Sequence, residues 1–150
     1  MKVECRWGKV ETEFQWIKKP DDIVDEYINS NSLIFLANEA RRLMVPYVPA
    51  DNLMLAQNVD VYAEGDKGIV EYMSPYAHYQ YIGKLYVSSI TGSPYARNGE
   101  YKVPTGKNLE HSKFRHPLAT SYWDKAMMTA RKGDLAKACQ NYFNFRGGRT

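Results

Sequence analysis

The sequence predicts a single α+β domain in which an antiparallel sheet packs against a long helix and a C-terminal helix. Two patterns indicate this class. Segments of alternating apolar and polar residues come in pairs separated by turn-forming residues, and other segments repeat apolar residues at spacings of three and four. The chain has 150 residues, which suits one hydrophobic core but hardly two. We therefore treat residues 1–150 as one unit.

The composition excludes two broad classes of protein. Apolar residues make up 44% and charged residues 25% of the chain, which argues against disorder and against a membrane protein. The N-terminus contains acidic residues and no apolar run of signal-peptide type, so we expect the chain to stay in the cytosol where it is made. Cys5 and Cys139 are then expected to be buried thiols.

Charge is distributed unevenly along the chain. Residues 1–83 carry eight Lys and Arg against thirteen Asp and Glu, whereas residues 84–117 and 118–150 each carry six against two. An acidic first half and a basic second half favour head-to-tail association of identical chains, the geometry that closes rings. The alternative is that these charges are simply solvated, because position in the sequence does not fix position on the surface.

The N-terminal third predicts a hairpin followed by a long helix. Residues 3–7 and 10–16 alternate in polarity, and Gly8-Lys9 fits the turn between them. Pro20 with two following acids suits the start of a helical region, which is either one bent helix or two. An apolar stripe then recurs at helical spacing up to Pro46, formed by Leu33, Leu36, Ala37, Ala40, Leu43 and Met44.

The middle of the chain predicts a second hairpin and a short helix. Residues 59–63 and 69–73 favour strands, and the turn-forming segment 64–68 joins them. Pro75 is expected at a first helical position, with one or two helical turns before Gly83. Residues 85–90 are expected to form another strand.

From residue 91 the sequence predicts a long loop and then the C-terminal helix. Gly and Pro are spread among basic and polar residues over 91–117, which is typical of a loop that is functional or unordered until something binds it. Ser121 is expected to cap a helix with Asp124 at the capping-box position. Gly133 should end it, followed by a second short helix or a kinked continuation and a flexible tail over 144–150.

No residue cluster points to catalysis or to a metal. His78, His111 and His116 lack the spacing of zinc ligands, and the acidic residues near Pro20 are explained by helix capping. We therefore expect no catalytic residue, no metal and no cofactor. A small enzyme is the third reading of this chain, favoured only if a conserved polar pocket surrounds His78, His111 or His116.

The most distinctive segment is 72–86, which holds five tyrosines. Tyrosine suits a hydrophobic core, a protein interface or stacking on nucleic-acid bases. Lys84 is the only basic residue of the segment, so packing and protein contacts are favoured over nucleic acid. The Arg-Gly-Gly-Arg sequence near the C-terminus is a faint signal of nucleic-acid binding.

The order of these motifs resembles a known family. The helix ending Arg-Arg-Leu-Met-Val-Pro46 is followed by Asn52-Leu-Met-Leu, by Ser74-Pro-Tyr-Ala-His-Tyr-Gln-Tyr-Ile-Gly-Lys84, by Thr91-Gly-Ser93 and by His116-Pro-Leu-Ala-Thr-Ser-Tyr-Trp123. This order, over roughly residues 33–140, resembles the minor capsid or head-to-tail joining proteins of long-tailed bacteriophages, relatives of the tail-completion group. The positions that match are Pro75, Tyr76, Ala77, Tyr79, Gly83, Lys84, His116, Pro117, Leu118 and Trp123.

The resemblance implies a structural subunit of the phage neck, assembled in the host cytoplasm and located in the virion. Its partners would be further copies of itself in a ring, expected to be sixfold, together with connector or stopper proteins and tail terminator or tail tube proteins. DNA would pass nearby without sequence-specific binding. The resemblance implies no catalytic residue and no cofactor.

Two sets of residues follow from these readings. The sheet is expected to pack on both helices through Leu36, Ala40, Leu43, Trp123 and Met127. The loop is expected to reach a neighbouring subunit through Tyr95, Arg97, Tyr101, Lys102, Lys107, Lys113 and Arg115. Deleting residues 95–110 should then spare folding and block the joining of heads to tails.

The rival function is a basic nucleic-acid-binding module, whose affinity for DNA would fall steeply with salt.

Overall fold

The computed structural model describes residues 2–6, 9–14, 29–51 and 53–147 and confirms the predicted α+β class. Its strands are β1 (Lys2–Arg6), β2 (Lys9–Phe14), β3 (Val59–Glu64), β4 (Lys67–Tyr72), β5 (Lys84–Ser88) and β6 (Lys102–Asn108). Its helices are α1 (Ser30–Met44), α2 (Met54–Gln57), α3 (Ala77–Ile82) and α4 (Trp123–Gly147), with a 3-10 turn at Val45–Tyr47.

Four antiparallel strands form the main sheet, in the order β1-β2-β4-β3. Both predicted hairpins are present, and β2 of the first pairs with β4 of the second, with Val10 opposite Tyr72. The turn expected at Gly8-Lys9 lies partly outside the described residues, and the helix start expected at Pro20 lies wholly outside them. β5 and β6 form a separate two-stranded sheet.

Helix α1 begins at a side-chain cap and lies directly on the main sheet. The Asn29 side chain accepts a hydrogen bond from the Ser32 amide at 3.1 Å, and the Ser32 hydroxyl accepts one from the Asn29 amide at 3.0 Å. A Cβ atom at Gly68 in β4 would lie 2.4 Å from the Leu33 carbonyl oxygen. Glycine at this position therefore allows the helix and the strand to approach each other closely.

The core lies between the main sheet, α1 and α4. Trp123 is 0% exposed, and its ring packs edge-on against Tyr72 at 5.2 Å and Tyr81 at 5.0 Å between centroids. The five residues expected in the core all belong to this buried cluster, namely Leu36, Ala40, Leu43, Trp123 and Met127. Leu36 and Leu43 come from α1, so the two helices share one core.

The C-terminal helix is longer than the sequence predicted. α4 runs without a break for 25 residues, so of the two alternatives after Gly133 the second short helix is wrong and the chain continues as helix. The tail expected over residues 144–147 is also wrong. Residues 148–150 lie outside the described part of the chain. Glycine in a helix interior costs only about 1 kcal/mol relative to alanine. The buried side chains of Leu135 and Cys139 outweigh this cost by holding the next turns in the core.

The expected cap of α4 is also replaced by longer-range contacts. The helix begins at Trp123, and the Ser121 hydroxyl hydrogen-bonds with the His111 ring at 3.0 Å instead of capping the helix. The buried Asp124 carboxylate accepts a hydrogen bond from the Tyr81 hydroxyl at 2.9 Å. Tertiary partners have thus taken both groups that the local pattern assigned to a capping box.

In the described part of the chain, no helix combines the length and the apolar content that crossing a bilayer requires.

Candidate protein–protein interface

Residues 84–108 form a β-hairpin, which we call the arm: β5, the connection 89–101 and β6. The loop predicted over residues 91–117 is therefore interrupted by a strand at Lys102–Asn108. Pro104 and Gly106 read as loop residues in the sequence, but a strand tolerates both at a sheet edge or a bulge. The register does shift here, and the Thr105 hydroxyl donates to the Leu85 carbonyl oxygen at 2.9 Å.

The connection between β5 and β6 is held by hydrogen bonds centred on the buried Ser88. Its hydroxyl donates to a Glu100 carboxylate oxygen at 2.6 Å and accepts from the amides of Ile90 and Thr91, both at 3.2 Å. The same carboxylate oxygen accepts from the Arg97 amide at 3.2 Å. The connection therefore has a defined shape that it maintains through its own contacts.

Large apolar side chains are exposed on the arm and on the segment 109–118 that follows it, which we call the return segment. Tyr95 is 79% exposed, Tyr101 82% and Phe114 92%. Ile90, Val103 and Leu118 are also exposed. Exposed apolar side chains on two consecutive segments make these segments candidates for a protein contact.

Six of the seven residues expected at an interface are exposed on these two segments: Tyr95, Arg97, Tyr101, Lys107, Lys113 and Arg115. Tyrosine and arginine are enriched in protein interfaces, whereas lysine is depleted from their centres. The aromatic and arginine side chains therefore suit the centre of a contact, and the lysines suit its rim.

Lys102, the seventh residue, is instead part of the joint between the arm and α3. Its amino group lies 4.8 Å from the centroid of the Tyr79 ring and 5.6 Å from that of Tyr76. Tyr79 also packs against Tyr86 of β5 at 4.9 Å between centroids. Part of the tyrosine-rich motif therefore joins the arm to the rest of the protein.

The base of the arm is closed around Gly83 and His111. Gly83 ends α3 in the left-handed conformation (φ +65°), and its carbonyl oxygen accepts from the Leu109 amide at 2.8 Å. The His111 Nδ1 atom lies 2.9 Å from the Gln80 Oε1 atom, and Nε2 lies 3.0 Å from the Ser121 hydroxyl. Because Oε1 can only accept, Nδ1 carries the proton, and in the neutral imidazole Nε2 then accepts from the Ser121 hydroxyl.

The His116 motif fixes the end of the return segment to the turn after α1. The His116 Nδ1 atom lies 2.7 Å from the Val48 carbonyl oxygen, and the Thr120 amide donates to the Tyr47 carbonyl oxygen at 3.0 Å. Pro117 and Leu118 between these contacts are exposed. The arm and the return segment thus project from a base that is fastened at both ends.

A cleft of about 390 Å³ opens beside this base, which we call the acidic cleft. It lies between the turn after α1, the start of α3 and the first residues of the return segment. Leu55 and Pro49 are buried apolar residues of its lining, Asp51 and Glu110 supply carboxylates, and Tyr76 and Tyr95 supply aromatic rings. Gln80 and His111 also line the cleft, whereas Ser121 does not. A pocket with polar walls therefore lies beside His111, one of the three histidines. Among the described residues, no three His, Cys, Asp or Glu side chains are grouped so as to hold a metal ion.

Comparisons of the chain with protein-family models, with curated proteins and with solved structures found no match.

Acidification should destabilise the folded protein through His111. Burial, and secondarily the charge of Lys113, lowers the pKa of His111 below its ordinary value of 6.5. The folded state therefore binds this proton more weakly than the unfolded chain does, so the stabilisation is present above about pH 6.5 and is lost as the pH falls toward the folded-state pKa.

The matched variant for this prediction is His111→Gln, which removes the titrating group. The measurement is the free energy of unfolding by urea between about pH 8 and about pH 5 for both chains. We expect the advantage of the native chain over the variant to shrink as the pH falls. A constant difference across this range would show that His111 titrates alike in the folded and unfolded states.

Proposed function

We propose that this chain is a non-enzymatic structural subunit of the joint between head and tail in a tailed bacteriophage. The observation that carries the proposal is the group of exposed apolar side chains on the arm and the return segment. Burying them against another protein would remove apolar surface from water, the main driving force of association. A hairpin that keeps its own shape also loses little conformational entropy on binding.

The particular setting of this function rests on the motif order. The segments Ser74–Lys84 and His116–Trp123, which carry the resemblance to head-to-tail joining proteins, lie at the base of the arm in positions that support it. On this proposal the chain forms a ring, expected to be sixfold, in the neck of the virion. It contacts connector or stopper proteins on one side and tail terminator or tail tube proteins on the other.

Replacing Tyr95 and Tyr101 together by serine tests the proposal. Both side chains are almost fully exposed, so the stability of the subunit should change by about 0.5 kcal/mol or less. If they lie at the centre of a contact, each contributes about 2 kcal/mol to binding, and the yield of joined particles should fall at least about tenfold. The measurement is the joining of filled heads to tails with purified subunit added to particles that lack it.

The control is Phe145→Ser, which removes an exposed aromatic ring from the end of α4, outside the arm and the return segment. Joining should be unaffected by this change. Undiminished joining with the doubly substituted arm would refute the assignment of these two tyrosines to a contact. These point substitutions are preferable to deleting residues 95–110, because that deletion would remove β6 and leave β5 without its partner strand.

A nucleic-acid-binding module is the second candidate, and the exposed Arg97, Lys107, Lys113 and Arg115 beside exposed aromatic rings favour it. A nucleic-acid-binding module would bind duplex DNA as an isolated chain, and its affinity would fall steeply between low and physiological salt. Such binding, combined with joining that survives the Tyr95 and Tyr101 substitutions, would favour this candidate over the structural subunit.

A further inference from the structure

We infer that the acidic cleft receives residues 113–115 of a second copy of this chain. The inference rests on the proposed function, because it names the contact by which neighbouring subunits of an assembly would recognise each other. The occupant is an exposed phenylalanine flanked by two cations, Lys113-Phe114-Arg115.

Two carboxylates, those of Asp51 and Glu110, line the cleft of a chain whose formal net charge is +3. Asp51 and Glu110 are exposed, and neither forms an ion pair with any other side chain in the described ranges. His111 adds no positive charge near neutral pH, because both of its ring nitrogens are hydrogen-bonded in the neutral form and burial lowers its pKa. Two lysines of the same copy lie near the cleft, because the charge of Lys113 acts on His111 and the Lys102 amino group lies 5.6 Å from the Tyr76 ring. The complementarity to a cationic segment is therefore that of the two carboxylates, Asp51 and Glu110, and not of the whole cleft.

The walls of the cleft suit an apolar side chain together with a cation. Leu55 and the two prolines Pro49 and Pro75 supply apolar surface, and the volume of about 390 Å³ falls within the range of ligand sites. Tyr76 and Tyr95 are exposed and also line the cleft, and aromatic rings attract lysine and arginine side chains. Tyr76 already lies 5.6 Å from the Lys102 amino group.

The segment 113–115 has the matching character. Phe114 is 92% exposed, so in its own copy the ring lies in solvent and not in the cleft. Lys113 and Arg115 on either side are exposed as well. A phenylalanine ring in the apolar part of the cleft, with the flanking cations beside Asp51 and Glu110, would remove the ring from water and pair all four charges. The contact joins different patches of the two copies, which permits either a ring or a reciprocal pair.

Charge reversal of the two sides tests this contact. One variant is Asp51→Lys with Glu110→Lys, and the other is Lys113→Glu with Arg115→Glu. All four side chains are exposed, so both variants should fold, and thermal unfolding checks this. Each variant alone should self-associate at least about tenfold more weakly than the native chain in sedimentation velocity, and an equimolar mixture of the two should recover association.

The variant Phe114→Ser tests the contact without changing any charge, and Phe145→Ser is its control. Phe114→Ser should weaken self-association, whereas Phe145→Ser should not. A photo-crosslinker placed at residue 114 provides the second measurement, with crosslinks expected to the segment 49–58 of another copy. The inference is overturned if both charge-reversed variants associate like the native chain, or if their mixture recovers nothing. It is also overturned if the native chain neither associates nor crosslinks at its highest soluble concentration.

The head-to-tail joining assay separates this inference from the proposed function. Suppose that both charge-reversed variants self-associate like the native chain, while the joining of heads to tails depends on Tyr95 and Tyr101. This result would refute the cleft contact and leave the proposed function standing. Suppose instead that each charge-reversed variant associates weakly and their mixture recovers association, while none of these substitutions affects the joining of heads to tails. This result would support the cleft contact and refute the proposed function.

Discussion

Replacing Trp123 by alanine is expected to lower the free energy of unfolding by about 3–5 kcal/mol, the usual cost of truncating a fully buried aromatic side chain. Trp123 is 0% exposed and packs against both Tyr72 of the main sheet and Tyr81 of α3. The substitution would leave a cavity where sheet and helices meet. Because small domains are stable by only about 5–15 kcal/mol, the variant should be partly unfolded at moderate temperature. Urea unfolding followed by circular dichroism measures the effect.

Phe114→Ala is the matched control for this experiment. It removes an aromatic ring of similar size from a position that is 92% exposed, and we expect a change of about 0.5 kcal/mol or less. Similar losses for the two variants would contradict the placement of Trp123 at the centre of the core. If Phe114→Ala leaves the stability of the subunit unchanged, a loss of self-association on substituting Phe114 reflects the inferred contact and not unfolding.

Replacing Gly83 by alanine should produce the second large loss, about 2–5 kcal/mol, from two causes. An L-residue in the left-handed conformation at φ +65° costs about 1–2 kcal/mol. In addition, the new Cβ would lie 2.0 Å from the Ser121 hydroxyl oxygen, and relieving such a clash typically costs about 1–3 kcal/mol. The displaced hydroxyl would also lose its hydrogen bond with His111. Differential scanning calorimetry and urea unfolding both measure this loss.

Gly65→Ala separates the two causes. Gly65 has nearly the same backbone conformation, with φ +61°, but a Cβ atom there would meet no other atom within 4 Å. This variant should therefore show only the backbone cost. If Gly83→Ala is no more destabilising than Gly65→Ala, the close approach of α3 to the start of α4 is not as tight as the structure describes.

The sequence predicted the elements whose signals are local. Both hairpins of the main sheet and helix α1 were predicted, because alternation with period two and repetition at three and four residues are set within a few residues. β6 was missed because Pro104 and Gly106 weaken the strand signal, and its partner β5 lies on the far side of a long connection. The unbroken course of α4 through Gly133 likewise depends on packing that no short window contains.

The exposure of the residues expected at an interface was predicted in outline, whereas the contacts around them were missed. The residues exposed on the arm and return segment lie where the sequence placed a basic, glycine-rich region. The packing of Lys102 on Tyr79 was not predicted, because it joins residues from separate elements. The same holds for the Gln80, His111 and Ser121 contacts, and for the Tyr81 and Asp124 pair that replaced the expected cap. A short stretch of sequence shows which side chain can form a hydrogen bond, but it does not show which distant residue that side chain will bond with.

The position of β2 between β1 and β4 has a consequence for how the chain matures on the ribosome. The hairpin made of β1 and β2 is complete once the first fourteen residues have emerged, but β2 finds its second neighbour only after the chain has been made as far as Tyr72. Closing this distant pairing is entropically costly and slow compared with forming either hairpin. During translation the nascent hairpin therefore presents an open strand edge, which makes this interval the one in which a chaperone would matter most.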